Sequence, residues 1–228
     1  MRIRQLIEAK FGGRYGLLLL SLVVILISYP LCVHFAVGRM LIHCFMVFAL
    51  LESFFALSNE RIYRLQGLLF GGATLMLACI SFAAELFEFN AVVFFKALMP
   101  FVAAFFAYMA STVIKTLFKQ DEVNVDMLCG AVVAYLLIGL AWTAVYCYIE
   151  LLAPYSFSFG AELPLQERAS ALFYYSFVTL TTLGYGDILP LSKIARTAAY
   201  LEAVVGVMYG AILVAVLVSN FKSGKEQP

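Results

Sequence analysis

From Gly16 onward the chain is a succession of long apolar runs separated by short polar stretches, and this continuity limits the fold more than any other feature. The runs are Gly16 to Phe35, Met40 to Leu57, Leu65 to Phe87, Ala91 to Ile114, Asp126 to Leu151 and Ile194 to Asn220. Each holds about 20 residues or somewhat more, enough for a helix to cross an apolar core of about 30 Å. Inside a bilayer every backbone N–H and C=O must be satisfied within the protein, which leaves helices and closed barrels. Barrel strands alternate apolar and polar residues. These runs do not alternate, so they predict six spanning helices. Composition agrees: 64% of the residues are hydrophobic and 13% charged, whereas a soluble globule is nearer half apolar and a quarter charged.

Several function classes drop out at once. A net charge of +1 gives no basic footprint for nucleic acid. The five cysteines, Cys32, Cys44, Cys79, Cys129 and Cys147, lie inside apolar runs without CxxC spacing and read as packing residues. No Gly-rich phosphate loop, nucleophile elbow or HExxH pattern occurs, so neither an enzyme nor a cofactor site is expected. The basic start, Met1 to Arg14, precedes a run read as a retained span rather than a cleaved leader. After Asn220, Phe221 to Pro228 is too short for a regulatory domain, so a gating signal is expected from the membrane part, lipid, pH or a separate regulatory partner.

Lysine and arginine set the orientation. With the N-terminus inside, the inner segments carry ten of them: Arg2, Arg4, Lys10, Arg14, Arg61, Arg64, Lys115, Lys119, Lys222 and Lys225. The outer segments carry five: Arg39, Lys96, Arg168, Lys193 and Arg196. The bias predicts both termini in the cytoplasm of a multi-pass protein of the cell membrane. The outer side then carries Glu85, Glu88, Glu150, Glu162, Glu167 and Asp187. They form either an acidic face that concentrates cations or ordinary solvated loops.

Between the last two spans lies a segment of another kind. Pro164 precedes an apolar stretch from Ala169 to Leu180, 12 residues long. That is about 18 Å of helix, too short to cross. It predicts a re-entrant helix followed by irregular backbone at Thr181 to Asp187. Such backbone is tolerated at membrane depth only where it is buried in protein or lines a water-filled path.

The residues of that irregular stretch suit the binding of dehydrated cations. Replacing a hydration shell takes several oxygens aimed at one axis. An ordinary strand points successive carbonyls to opposite sides, and Gly184 and Gly186 permit the positive φ values that reverse this. The carbonyls of Thr182, Leu183, Gly184 and Tyr185 are assigned as ion ligands, with the Thr182 hydroxyl as a further oxygen at the inner end. One strand lines one wall, so the site requires a symmetric ring of copies. A preceding helix that aims its C-terminal end inward adds negative potential.

Thr181-Thr182-Leu183-Gly184-Tyr185-Gly186-Asp187 resembles the signature of the potassium channel family, in the pore-loop cation channel superfamily, with Leu183 where Val or Ile is commoner. The resemblance implies a homotetramer that passes K+ as the permeant ion through a selectivity filter, with Gly186 closing the ligand segment. Tyr174 and Tyr175 occupy the place of the family's paired aromatics, which implies that Tyr175 braces Tyr185, with Tyr174, Thr181 and Asp187 also supporting the filter. Pro190 and Arg196 fall at family-like spacings. Gly206 matches the family's hinge glycine on the inner helix, Gly210 is a second candidate, and small-residue packing is the other reading of Gly206. Family spacing makes Val207, Gly210 and Val214 cavity-facing. The resemblance covers about Asp126 to Phe221.

Four spans ahead of a pore unit resemble the voltage-gated layout in topology only. The fourth span, Ala91 to Ile114, carries Lys96, with Lys115 just beyond it, and has no arginine at every third position. Each charge crossing the field gains only about 2.3 kcal/mol per 100 mV, so weak or absent voltage gating is expected. Glu52 on the second span reads as an interfacial or paired acid, near Arg61 and Arg64. His34 and His43 read as interfacial side chains. For Glu202, one turn before Gly206, two readings stand: a modulator of filter or gate through protonation, or a polar anchor satisfied by a neighbouring hydroxyl such as a tyrosine.

The resulting expectation is an all-α integral membrane protein. It has six transmembrane helices, a re-entrant pore helix and a selectivity filter, and it assembles as a tetramer. Residues 1–120 form a four-helix domain without sensor charges, and residues 121–228 form the pore domain. The function implied is a potassium-selective channel; a voltage-gated or less selective cation channel, or a subunit of a potassium uptake system, is the alternative.

Overall fold

The computed structural model describes residues 15–32, 72, 76, 91–118 and 124–223. The expected span Met40 to Leu57, all but Gly72 and Met76 of Leu65 to Phe87, and Glu52, Arg61, Arg64, Glu85, Glu88, His34, His43 and both chain ends lie outside the described residues.

Five helices are described: α1 Gly16–Cys32, α2 Ala91–Leu117, α3 Val125–Leu152, α4 Leu165–Leu180 and α5 Lys193–Ser223. Among the described residues three helical stretches are long and apolar enough to cross a membrane: Val92–Leu117, Val125–Leu152 and Lys193–Ala215. Pro100 sits inside α2 without ending it; neighbouring helices and local adjustment compensate the freed carbonyl in such settings.

Asn124 starts α3. Its side chain accepts from the Met127 N–H at 2.8 Å, satisfying one of the donors a helix N-terminus leaves free. Asp126 in the next turn accepts from the backbone N–H of Tyr15 at 2.7 Å, tying the start of α1 to the start of α3. The two helices therefore begin at the same end, and α2 runs antiparallel between them in sequence. Leu18, Leu22, Leu98, Phe105, Met109, Val113, Met127 and Leu137 share one core across α1, α2 and α3. Between apolar helices in lipid, association rests on close van der Waals packing rather than on water expulsion. The buried small residues Gly130, Ala131, Ala134, Ala141 and Ala144 along α3 give that close approach.

At the far end of α3 the chain turns through a small structure that the all-α expectation does not contain. β1 Phe157–Ser158 pairs antiparallel with β2 Leu189–Pro190, with Phe157 opposite Pro190 and Ser158 opposite Leu189. Pro190 is tolerated because each strand has one free edge. Two residues are too few for alternation to show in a sequence.

α4 leaves this end and descends. Arg168, in its first turn, meets Glu150 near the C-terminus of α3 at 3.0 Å. Its last residue, Leu180, accepts from the Tyr135 hydroxyl at 3.2 Å. From Glu150 to Tyr135 is about 22 Å along α3, matching the roughly 24 Å length of a 16-residue helix. The chain then climbs back and rejoins β1 at β2. It enters and leaves at the same end of the helix bundle. The helix is longer than the Ala169 to Leu180 stretch predicts because it begins directly after Pro164, at Leu165.

Candidate functional site

The backbone after α4 alternates in sign. Thr182, Gly184 and Gly186 have φ of 57°, 58° and 77°, while Leu183 and Tyr185 between them are negative. Alternation of left- and right-handed conformations turns successive peptide planes the same way, so the carbonyls face one side and the N–H groups the other. The N–H groups find partners on α4: Thr182 N donates to Thr179 O at 2.9 Å, Leu183 N to Val178 O at 2.9 Å and Gly184 N to Val178 O at 3.4 Å. The carbonyls of Thr182, Leu183, Gly184 and Tyr185 receive no hydrogen bond among the described residues, and the whole stretch from Thr181 to Asp187 is exposed in the single chain.

Gly184 and Gly186 take the left-handed region without steric cost. Thr182 does not: a β-branched residue there is an outlier costing about 1–2 kcal/mol. Its hydroxyl donates to the Thr181 carbonyl at 2.7 Å, and the Thr181 hydroxyl donates to Phe177 O at 2.7 Å. Strain held in place by surrounding bonds is characteristic of functional backbone. The sequence signals the two glycines and gives no signal for the third inversion.

Two helices, α3 and α5, clamp α4 in two tiers. In the lower tier the Tyr135 hydroxyl of α3 donates to Leu180 O, and Gly206 of α5 faces the same carbonyl so closely that a Cβ would lie 2.0 Å from it. In the upper tier Ser176 Oγ lies 2.8 Å from Gly139 O of α3 and 2.6 Å from Glu202 Oε1 of α5. The Tyr146 hydroxyl of α3 donates to Glu202 Oε2. Each helix contributes a pair four residues apart: Tyr135 and Gly139, Ser176 and Leu180, Glu202 and Gly206. Residues four apart share a helix face, so the three faces meet in register. Glu202 is fully buried, and both of its carboxyl oxygens are engaged. Ser176 and Gly139 are supports that sequence reading missed. Neither carries a motif, because their role is set by what lies opposite.

Gly206 is thus required by a close approach that involves no bending. α5 is continuous helix through Gly206 and Gly210, and nothing lies within 4 Å of where a Gly210 Cβ would stand. Val207, Gly210 and Val214 are exposed along one stripe of α5 in the single chain.

The two aromatic residues of α4 face different surroundings. Tyr175 is buried in a ring triangle with Tyr146 at 5.1 Å and Phe157 at 5.4 Å. Within one chain its ring contacts are these, rather than Tyr185, which is 67% exposed. Tyr174 hydrogen-bonds to Asp187, and this bond is the main reason that its phenol is raised above the usual tyrosine value.

Near the C-terminus of α3 Glu150 is buried and paired, so it belongs neither to a free acidic face nor to an ordinary solvated loop. Its carboxylate accepts from Arg168 at 3.0 Å, from Tyr155 N at 3.1 Å and from Ser156 N at 3.0 Å. Arg168 Nε also donates to Leu163 O, and its guanidinium lies over the rings of Tyr155 and Phe159. The pair fixes the loop leading into α4 and leaves no net charge at that point. Arg196 Nε donates to Pro190 O at 3.1 Å, holding the return strand to the start of α5.

Comparison with known proteins agrees with this geometry. Residues 131–223 match the family described as ion channel. A local similarity of 42% identity over 52 residues links the chain to Potassium voltage-gated channel protein shk-1 of Caenorhabditis elegans. The matched stretch is 23% of this chain and 10% of that protein. No solved structure matches. The apolar helices and the matched segment support an ion channel in a membrane. The family match covers less than half of the chain, and the similarity to a potassium channel is confined to 52 residues.

Proposed function

We propose that the protein is a homotetrameric, potassium-selective channel whose filter is the segment Thr182 to Gly186, with α4 as its pore helix and α5 as its inner helix. The observation that carries this is the φ alternation at Thr182, Gly184 and Gly186, with the N–H groups of Thr182, Leu183 and Gly184 bonded back to α4. One wall of such carbonyls gives a cation ligands on one side only, and four copies around an axis close the ring. K+ is coordinated by the carbonyls of Thr182, Leu183, Gly184 and Tyr185, and it is cargo rather than cofactor. The C-terminal end of α4 adds negative potential beneath them. The apolar part of α5 is 17% buried against 50% for that of α3, so α5 has surface to give to neighbouring subunits and to lipid.

Gating is weakly voltage-dependent or independent of voltage. α2 carries Lys96 and Lys115 as its basic residues, and two charges per subunit at most could move. The name of the similar worm protein favours the voltage-gated alternative; the charge content of α2 argues against it. Passive conduction through backbone carbonyls needs no chemistry, so no enzymatic role is assigned. Planar-bilayer recording of purified protein under voltage steps separates the two. A shallow conductance–voltage curve with potassium current supports the reading, and a steep one contradicts it.

A further inference from the structure

The upper tier of the clamp contains more close oxygen contacts than its hydroxyls have hydrogens. Tyr146 Oη meets Glu202 Oε2, Ser176 Oγ meets Glu202 Oε1 at 2.6 Å, and Ser176 Oγ meets Gly139 O at 2.8 Å. Three oxygen–oxygen contacts need three hydrogens. Tyr146 supplies one and Ser176 one. The carbonyl of Gly139 has none to give, so the third belongs to the Glu202 carboxyl. One arrangement then satisfies every group: Tyr146 donates to Oε2, Glu202 donates to Ser176, and Ser176 donates to Gly139.

The surroundings agree. Glu202 is fully buried, and no cationic side chain pairs with it among the described residues. Among the described residues, the titratable groups besides Tyr146 that are near enough to interact with its charge are Tyr135 on α3 and Tyr175 on α4. All are phenols, and none offers a positive charge to an ionised carboxylate. A buried carboxylate without a cation is costly and tends to stay neutral.

We propose that Glu202 is a positioning residue for the filter, held as a neutral acid whose own proton completes the bond from α5 through Ser176 to α3. Ser176 lies one turn before Leu180, and Leu180 is two residues before Thr182, where the filter begins. Loss of the proton to hydroxide leaves Ser176 one hydrogen for two acceptors, and the tier opens on one side. The filter then loses its register at alkaline pH. This inference rests on the potassium-channel reading, and its test separates the two.

The test uses full-length protein in proteoliposomes, as wild type, Glu202→Gln, Glu202→Ala and Ser176→Ala. Glutamine can donate to Ser176 and accept from Tyr146, so it reproduces the neutral acid without a titratable proton. Two readouts are taken: the carboxylic-acid C=O band in the wild-type minus E202Q infrared difference spectrum at neutral pH, and potassium flux against pH. The expected result is a band present in wild type and a wild-type flux that falls several-fold at alkaline pH. E202Q is expected to keep neutral-pH flux without that fall, and E202A and S176A to lose most flux already at neutral pH. Absence of the band, or the same alkaline fall in E202Q, overturns the proposal. So does full flux in E202A. A wild type that carries no potassium while showing the band overturns the channel reading and leaves the neutral acid standing.

Discussion

Adding one methyl group at Gly206 tests the lower tier of the clamp. A Cβ there lies 2.0 Å from Leu180 O, and real Cβ atoms essentially never approach other heavy atoms within 3.0 Å. The two helices must part by about 1 Å, twice the roughly 0.5 Å tolerance within which a functional constellation has to be held. The obstructing atom is a backbone carbonyl at the end of α4, so no rotamer change relieves the contact. Alanine gains about 0.5–1 kcal/mol over glycine in a helix, while overpacking of this kind costs about 1–3 kcal/mol. The balance for Gly206→Ala is a net loss on the order of 1–2 kcal/mol, concentrated where α4 meets Thr181 and Thr182. Gly210→Ala, with nothing within 4 Å, takes the gain without the cost. Thermal unfolding in detergent should therefore show G206A less stable and G210A equal to or above wild type. Reversal potentials in mixed K+ and Na+ should show reduced selectivity in G206A alone. A G206A protein with wild-type stability and selectivity, altered only in open probability, would refute the packing argument and favour a pure hinge.

Gly139→Ala should fall between those two variants in stability, because the added methyl meets the Phe177 ring at 2.7 Å and a ring can turn aside where a carbonyl cannot; thermal unfolding of the three variants checks the order. Glu150→Ala strips Arg168, Tyr155 N and Ser156 N of their acceptor and should cost about 3 kcal/mol or more, read as a lowered unfolding temperature and faster proteolysis between Ala153 and Pro164. The Tyr174 phenol should titrate above an ordinary tyrosine in a difference ultraviolet titration, and Asp187→Asn should bring it back toward the usual value. Because that value is raised, the Tyr174–Asp187 bond is fully present below the ordinary tyrosine range and is lost as pH rises through the raised one.

The long helices, and the short one that turns back after α3, are legible in the chain because they follow from run length. α3 and α5 begin and end within a few residues of the apolar runs, and the short stretch before Thr181 is too brief to cross. The glycines at 184 and 186 announce positive φ for the same local reason. What stayed hidden depends on partners distant in sequence. The left-handed Thr182 is imposed by bonds to α4 that no propensity encodes. Glu150 reads as an outer acid until Arg168, 18 residues on, folds over it. Ser176 is one polar residue among aromatics until Gly139 and Glu202 meet it from two sides. Gly206 reads equally as hinge or spacer from its spacing, and the facing carbonyl supplies the physical requirement for a small residue.

The central claim is that the carbonyls of Thr182 to Tyr185 select potassium. The measurement that tests it most directly is the reversal potential of wild-type protein in a planar bilayer with K+ on one side and Na+ on the other, repeated with Tyr185 replaced by alanine. The expected wild-type potential is displaced toward the potassium equilibrium value, which moves by about 59 mV per tenfold change in K+. The Tyr185→Ala protein is expected to conduct without discrimination or not at all. A wild-type reversal potential near zero, or potassium selectivity that survives the Tyr185 substitution, would contradict the claim.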